Sequence, residues 1–258
     1  MSKLLFFFTL SLISFTSYSQ STASNILYES EIIRRAYETG VTADELWEIR
    51  KKEVAESYEA ITLLNGGTMI FLLDFKKKEY EYYLKFNNEK AASKLKKKQA
   101  KINKSIMLAM DSLFTFCSVV YISTDDVMNV IEEKFDQLTF YNQNFKTYKN
   151  KNIKKDSFLI GQFGNVEQDE AVYSHNDSIN KNYGGNKMSL SALVIRKSNM
   201  VQLRKPFPYY QKYFAFGIVK KRYNRPARTL NTEMKRFLGR GEPTFVRREK
   251  RLKEINAE

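Results

Sequence analysis

One cysteine and one histidine, Cys117 and His175, stand in a chain of 258 residues. A single cysteine excludes an internal disulfide, so the fold must hold by packing even in an oxidising compartment. A single histidine and no cysteine pair exclude the ligand spacings of a zinc site, and the acids match no EF-hand loop. Glycine is scarce as well, ten residues in all. None of them builds a phosphate cradle. Gly161-Gln162-Phe163-Gly164 lacks the dinucleotide spacing, and Gly184-Gly185-Asn186-Lys187 is no P-loop. There is no Gly-x-Ser-x-Gly elbow and no repeat period. No motif therefore names a catalytic residue, a metal or a cofactor.

What is present starts with an address. Lys3 supplies a positive charge, Leu4 to Phe15 is apolar apart from small hydroxyl residues, and Ser17 and Ser19 are small residues at the peptidase positions. That order predicts a signal peptide over residues 1–19 and a mature chain from Gln20. The apolar run is shorter than the roughly 20 residues of a membrane span. No cysteine directly follows it at the cleavage junction, so the expected product is exported to the periplasm or beyond and is not a lipoprotein. A second apolar stretch, Ser105 to Ser123, carries Asp111 inside it. A mid-span carboxylate costs about 2.5 kcal/mol or more. Its first half is helix-like and its second is β-branched and aromatic. The expectation is a helix end followed by a buried strand, with no span in the mature chain.

Hydrophobic residues make up 43% of the chain, enough for a core, and the 28% that are charged argue against a membrane protein throughout. The net charge of +14 is unevenly spread. Asn25 to Ala60 is acidic. Lys76 to Lys104 and Lys220 to the C-terminus are strongly basic. Attraction to polyanions follows, without naming a partner.

Local patterns give the elements. Tyr28, Ile32 and Ala36 predict a helix over Leu27–Glu38 that ends at Gly40. Thr42-Ala43-Asp44-Glu45 is a capping box, with Val41 and Leu46 as its staple. The helix that follows carries a core stripe of Trp47, Val54, Tyr58 and Ile61 and stops at Asn65-Gly66-Gly67. Thr68–Phe75 reads as a strand. Glu79–Phe86 fits both periods and is assigned to helix. Asn88 caps a long helix with Leu95, Ile102, Ile106, Met110 and Leu113 inward and lysines outward. Phe116–Ile122 is a buried strand, and Asp125 or Asp126 opens a helix to Phe135. Strands are expected at Leu138–Tyr141, Ser157–Phe163, Leu190–Ile195 and Met200–Leu203, the last two around a turn at Lys197-Ser198-Asn199. The class is α/β or α+β, a mixed sheet with crossover helices. A helical segment over 20–67 precedes a domain over 68–216. That domain holds a long polar loop at 164–187. A basic tail over 217–258 follows, with short amphipathic stretches at Leu230, Met234, Phe237, Leu238 and at Phe245, Leu252, Ile255.

Asn65-Gly66-Gly67-Thr68, Phe116-Cys117-Ser118-Val119-Val120-Tyr121, and Met200-Val201-Gln202-Leu203 before Pro206-Phe207-Pro208-Tyr209-Tyr210 resemble a group of uncharacterised exported Bacteroidota proteins. The Ser-x-Ser-Gln junction is similar to theirs. The resemblance implies one domain over Leu64 to Tyr210 and carries no activity and no site residue.

Candidate residues follow from chemistry. Cys117 and His175 would make a nucleophile and base if the fold joined them; against this, Cys117 lies in an apolar strand, where cysteine is an inert small hydrophobe. His175 with Asp169, Glu170 and Asp177 offers donors for a metal, but a solvated loop is the simpler reading. Phe207, Tyr209, Tyr210 and Tyr213 form the densest aromatic stretch, either a docking surface or the cover of a sheet. Arg222, Arg225, Arg228, Lys235, Arg236, Arg240, Arg247, Arg248 and Arg251 make the strongest candidate, since arginine suits phosphate and carboxylate. The expected function is a non-catalytic envelope protein whose basic tail engages an anionic surface, such as lipid or lipopolysaccharide phosphates, or an envelope protein. Nucleic acid has less support, because no reading motif is present. The alternative is a hydrolase or carbohydrate-binding enzyme with its site near the 164–187 loop and the 206–216 aromatics.

Overall fold

A computed structural model describes residues 42–149, 153, 157–166, 190–213, 219–247 and 251. The chain divides into two compact units, Met1–Lys52 with Asp169–Tyr183, and Glu53–Gln168 with Gly184–Glu258. The helix expected over Leu27–Glu38 lies outside the described residues.

In the first unit the described part is the opening of α1 (Ala43–Gly66). The capping box forms as its sequence dictates: the Thr42 amide donates to Glu45 Oε2 (3.1 Å), and the Glu45 amide donates to Thr42 Oγ1 (3.3 Å). Leu46 is buried, whereas Trp47, expected in the core stripe, is 43% exposed. Its ring instead lies 5.9 Å from the Lys51 ammonium.

The second unit is a seven-stranded sheet in the order β4-β3-β2-β1-β5-β6-β7. The strands are β1 (Thr68–Leu73), β2 (Ser118–Ser123), β3 (Phe140–Tyr141), β4 (Thr147–Tyr148), β5 (Phe158–Asn165), β6 (Ser191–Arg196) and β7 (Tyr210–Lys212). The middle three, β2-β1-β5, are parallel, and the flanking pairs are antiparallel. The chain is thus an α/β protein with a mixed sheet. β1 reads TMIFLL because a central parallel strand is covered on both faces.

Alternation along the strands separates two cores. Met69, Phe71 and Leu73, with Leu159, Leu193 and Ile195, face one way; Ile70, Leu72, Val120, Ile122 and Ile160 face the other. The first face is covered by Tyr58, Ile61 and Leu64 of α1, by Ile106, Met107 and Met110 of α3 (Glu89–Leu113), and by Ala227, Leu230, Met234 and Phe237 of α6 (Asn224–Gly239). The second, to which Phe140 of β3 also belongs, is covered by Val130 and Leu138. The expected boundaries at residues 67 and 217 are therefore not boundaries of the core.

Gly67 shows why α1 stops where it does. A side-chain carbon there would lie 2.4 Å from the Ser157 carbonyl oxygen and 2.5 Å from that of Leu63. Only glycine lets the chain turn into β1 at this approach.

Between β1 and β2 the chain forms α2 (Lys77–Lys85) and then α3. The ambiguous stretch at residues 79–86 is thus helical up to Lys85. Asn87 turns it in the left-handed region (φ 53°), and Asn88 Oδ1 accepts from the Ala91 amide at 3.1 Å. The stretch from Ser105 to Ser123 splits into the end of α3 and strand β2, and among the described residues no helix is long and apolar enough to cross a membrane.

Three expectations are corrected. The helix from Asp125 to Phe135 is broken into a 3-10 turn (Thr124–Asp126), α4 (Val127–Ile131) and a second 3-10 turn (Phe135–Gln137). Ser123 caps the first turn, and Glu133 leaves the helical region at φ 59°. Met200–Leu203 is no strand; it makes one isolated bridge, Gln202 to Arg196, and the strand that pairs with β6 is Tyr210–Lys212. The C-terminal segment is no tail through Gly239, for α6 seals the core.

Candidate functional site

The strongest candidate, the basic residues after 217, begins with a short helix, α5 (Val219–Arg222), and continues in α6. Apolar residues at 227, 230, 234 and 237 follow helical spacing and are all buried. The opposite face is fixed by geometry. Arg225, Arg228, Lys235, Arg236 and Arg240 are exposed, along with Thr232 between them. Glu233 is the one acid of the helix, and it pairs with Arg236 at 2.7 Å. Lys235 Nζ donates to Thr115 Oγ1 at 3.0 Å, and the Thr115 amide donates to Asn231 Oδ1 at 2.9 Å, which ties α6 to the end of α3. Gly241, at φ 72°, ends the helix and donates its amide to the Leu238 carbonyl.

The other expected residues disperse. Arg222 is half-buried beside Tyr223. Arg247 and Arg251 are exposed, Val246 between α6 and Arg251 is buried, and Arg248 lies outside the described residues.

Phe207, Tyr209, Tyr210 and Tyr213 do not form a docking surface. Phe207 is 1% and Tyr209 8% exposed. The Phe207 ring lies 6.2 Å from that of Phe237, so it helps seat α6. Tyr210 pairs with Val194 as part of β7, and Tyr213 packs edge-on against Phe163 at 5.2 Å. Up to Tyr213 this stretch covers the sheet; residues 214–216, and His175, Asp169, Glu170 and Asp177 of the alternative enzyme site, lie outside the described residues.

Cys117 precedes β2 instead of lying within it. Burial pushes its thiol up to about 12, only partly offset by a backbone hydrogen bond at Met69.

Ligands of open α/β sheets gather at the carboxyl ends of parallel strands. Here those ends hold groups the sequence did not single out. The Asp74 carbonyl after β1 accepts from Gln99 (2.7 Å) and from the fully buried Asn103 (2.9 Å), both on α3. The Asp74 carboxylate accepts from the Lys76 amide and pairs with the Lys76 ammonium at 2.9 Å, which raises the lysine. After β2, Ser123 Oγ exchanges bonds with Asp125. Burial raises Asp126 against a backbone hydrogen bond at Thr139. These carboxylates are held by local turns. Among the described residues no group of three or more His, Cys, Asp or Glu side chains is placed to hold a metal.

A further cluster joins elements far apart in sequence. The Tyr121 hydroxyl on β2 donates to Asp111 near the end of α3, and the Gln143 amide donates to the same carboxylate. Burial first, and then Asp111, raise Tyr121 well above the usual phenol range. Nothing in the spacing of residues 111, 121 and 143 signals this contact. The comparisons with known proteins return no relative: no family model, no curated protein and no solved structure matches the chain.

Proposed function

We propose that the chain is an exported, non-catalytic docking protein of the cell envelope, which attaches through the basic face of α6 to an anionic surface or partner. The observation that supports this reading is the division of α6 into two faces, one wholly in the core and one lined by Arg225, Arg228, Lys235, Arg236 and Arg240. Because the inner face is packed, the helix that carries the cations is ordered before any ligand arrives. Binding then avoids the cost of ordering a free segment. Arginine prevails, four of the five, which favours ligands that accept paired hydrogen bonds, namely phosphate and carboxylate groups.

The test compares Arg225→Glu/Arg228→Glu with Lys134→Glu/Lys146→Glu, a pair of exposed positions elsewhere that changes the net charge equally. Elution from immobilised heparin along a salt gradient is the measure. The α6 pair should elute at markedly lower salt than the control pair, with the melting temperature of both near wild type, since surface changes of this kind stay within about 0.5 kcal/mol. Equal elution of the two would refute the assignment to α6.

A further inference from the structure

The second basic stretch, Lys76 to Lys104, holds eleven lysines and three glutamates. It folds as the α2–α3 hairpin. No residue of α2 is buried, and the helix packs on α3 through the half-buried Tyr80 and Tyr83. Lys96 of α3 reaches over the Tyr80 ring at 5.8 Å. In α3 the buried residues run from Asn103 onward, with Ala92 alone before them. The hairpin therefore owes little to the sheet until α3 is half complete.

Its turn carries what a merely solvated hairpin would avoid. Phe86 is 63%, Tyr82 59% and Leu84 41% exposed. The rings of Tyr82 and Phe86 are packed together at 4.7 Å, so they present one apolar wedge. Behind the turn, Lys90, Lys94, Lys97, Lys101 and Lys104 recur at spacings of three and four and are all exposed, so they form a straight row along α3. At 1.5 Å per residue the row is about 21 Å long. A wedge of aromatic side chains beside a row of cations on a helix is the pattern of an interfacial membrane contact. The apolar group enters the boundary between head groups and acyl chains, and the cations meet lipid phosphates. Tyrosine suits that depth, because its ring is apolar and its hydroxyl stays wet. Lysine, whose stem is apolar and whose charge extends to the surface, does as well.

We infer that the α2–α3 hairpin is a lipid-contacting arm that docks on an anionic phospholipid bilayer, with Tyr82 and Phe86 entering the interface and the α3 lysines lying over the head groups. Charge complementarity selects the anionic bilayer, and the paired rings of Tyr82 and Phe86 at the turn supply the apolar contact that its interface accepts. The arm is independent of α6 and uses none of its residues.

The test places a reporter at the wedge: Phe86→Trp in the full chain with Trp47→Phe, so that position 86 holds the one indole. On vesicles of phosphatidylglycerol and phosphatidylcholine the emission should shift to the blue and be quenched by brominated acyl chains; phosphatidylcholine alone should do neither. Tyr82→Ser/Phe86→Ser, at exposed positions and with an unchanged circular dichroism spectrum, should weaken partitioning to the mixed vesicles at least tenfold in 0.3 M salt. Lys94→Glu/Lys97→Glu/Lys101→Glu in the reporter chain should abolish the blue shift. Because the signal arises at position 86, attachment through another segment cannot produce it. If the α6 reversal lowers heparin affinity while the indole stays in water on the vesicles, the arm is refuted and the α6 reading stands. If the α6 reversal does nothing and the indole inserts, the reverse holds. Displacement of the vesicles by single-stranded DNA, with the same serine variant losing DNA affinity, would assign the arm to nucleic acid and overturn the proposal.

Discussion

Cys117 is the single thiol of the chain, and its surroundings hold it protonated. A cysteine acts as a nucleophile only as thiolate. With the thiol pushed up to about 12 by burial, the thiolate fraction at pH 8 falls on the order of a thousandfold below that of a free cysteine, whose ordinary value is about 8.5. Its described neighbours are apolar, with Met69 and the core around Phe71 on the same side of the sheet. Labelling of the native protein with a disulfide reagent at pH 8 should therefore be slower by about three orders of magnitude than labelling in 6 M urea. Comparable rates in both states would mean that the sulfur is activated, and the nucleophile would have to be considered again. The apolar surroundings were legible in the sequence, because the run around Cys117 is local. The Asp111–Tyr121–Gln143 cluster was not, because its three members meet only once the sheet and α3 are assembled.

At the scale of elements, α6 is where local reading misled. The segment after 217 holds few core-type residues and many arginines, which reads as a tail. The four core residues of α6 all fall on one stripe, and the stripe is matched by Tyr58 from α1, whose ring lies 4.7 Å from Phe237, and by Phe207 before β7. A count of residue types along the chain records neither partner. The capping box at Thr42 and the Asn88 cap of α3 were read correctly because each signal and its reply lie within three residues. Packing now predicts the opposite of what a tail would do. Phe237→Ala should cost about 3–5 kcal/mol in urea unfolding, the usual range for deleting a buried ring. A domain of this kind is stable by only about 5–15 kcal/mol. Ending the chain at Tyr223 removes Ala227, Leu230, Met234 and Phe237 together and should yield no cooperative transition at all. A truncated chain that unfolds cooperatively with an undiminished denaturant slope would show that the sheet does not need α6.

Across the whole molecule, the mixed sheet was legible from the succession of strand, long helix and strand, because β1–β2 pairing requires a crossover that α2 and α3 supply. Its outer strands were not, since Thr147–Tyr148 and Tyr210–Lys212 are two and three residues long and carry no alternation to detect. The same assembly sets a dependence on pH. Burial raises Tyr121, Tyr141, Tyr148 and Tyr223 and the Cys117 thiol together. In the unfolded chain these groups ionise near their ordinary values, about 8.5 for the thiol and about 10 for the phenols. A folded state that holds its protons longer binds more of them than the unfolded state, so stability falls as pH rises through that range. The contribution is complete below pH 8 and is lost progressively above it. The urea midpoint should therefore drop between pH 9 and pH 11. Tyr121→Phe separates the phenol from the rest. It should be less stable at pH 7, by about 1.5 kcal/mol for the lost hydrogen bond to a carboxylate, yet decline less steeply above pH 10, because it has no proton there to withhold. Parallel declines for the two proteins would show that Tyr121 is not a source of the alkaline limb.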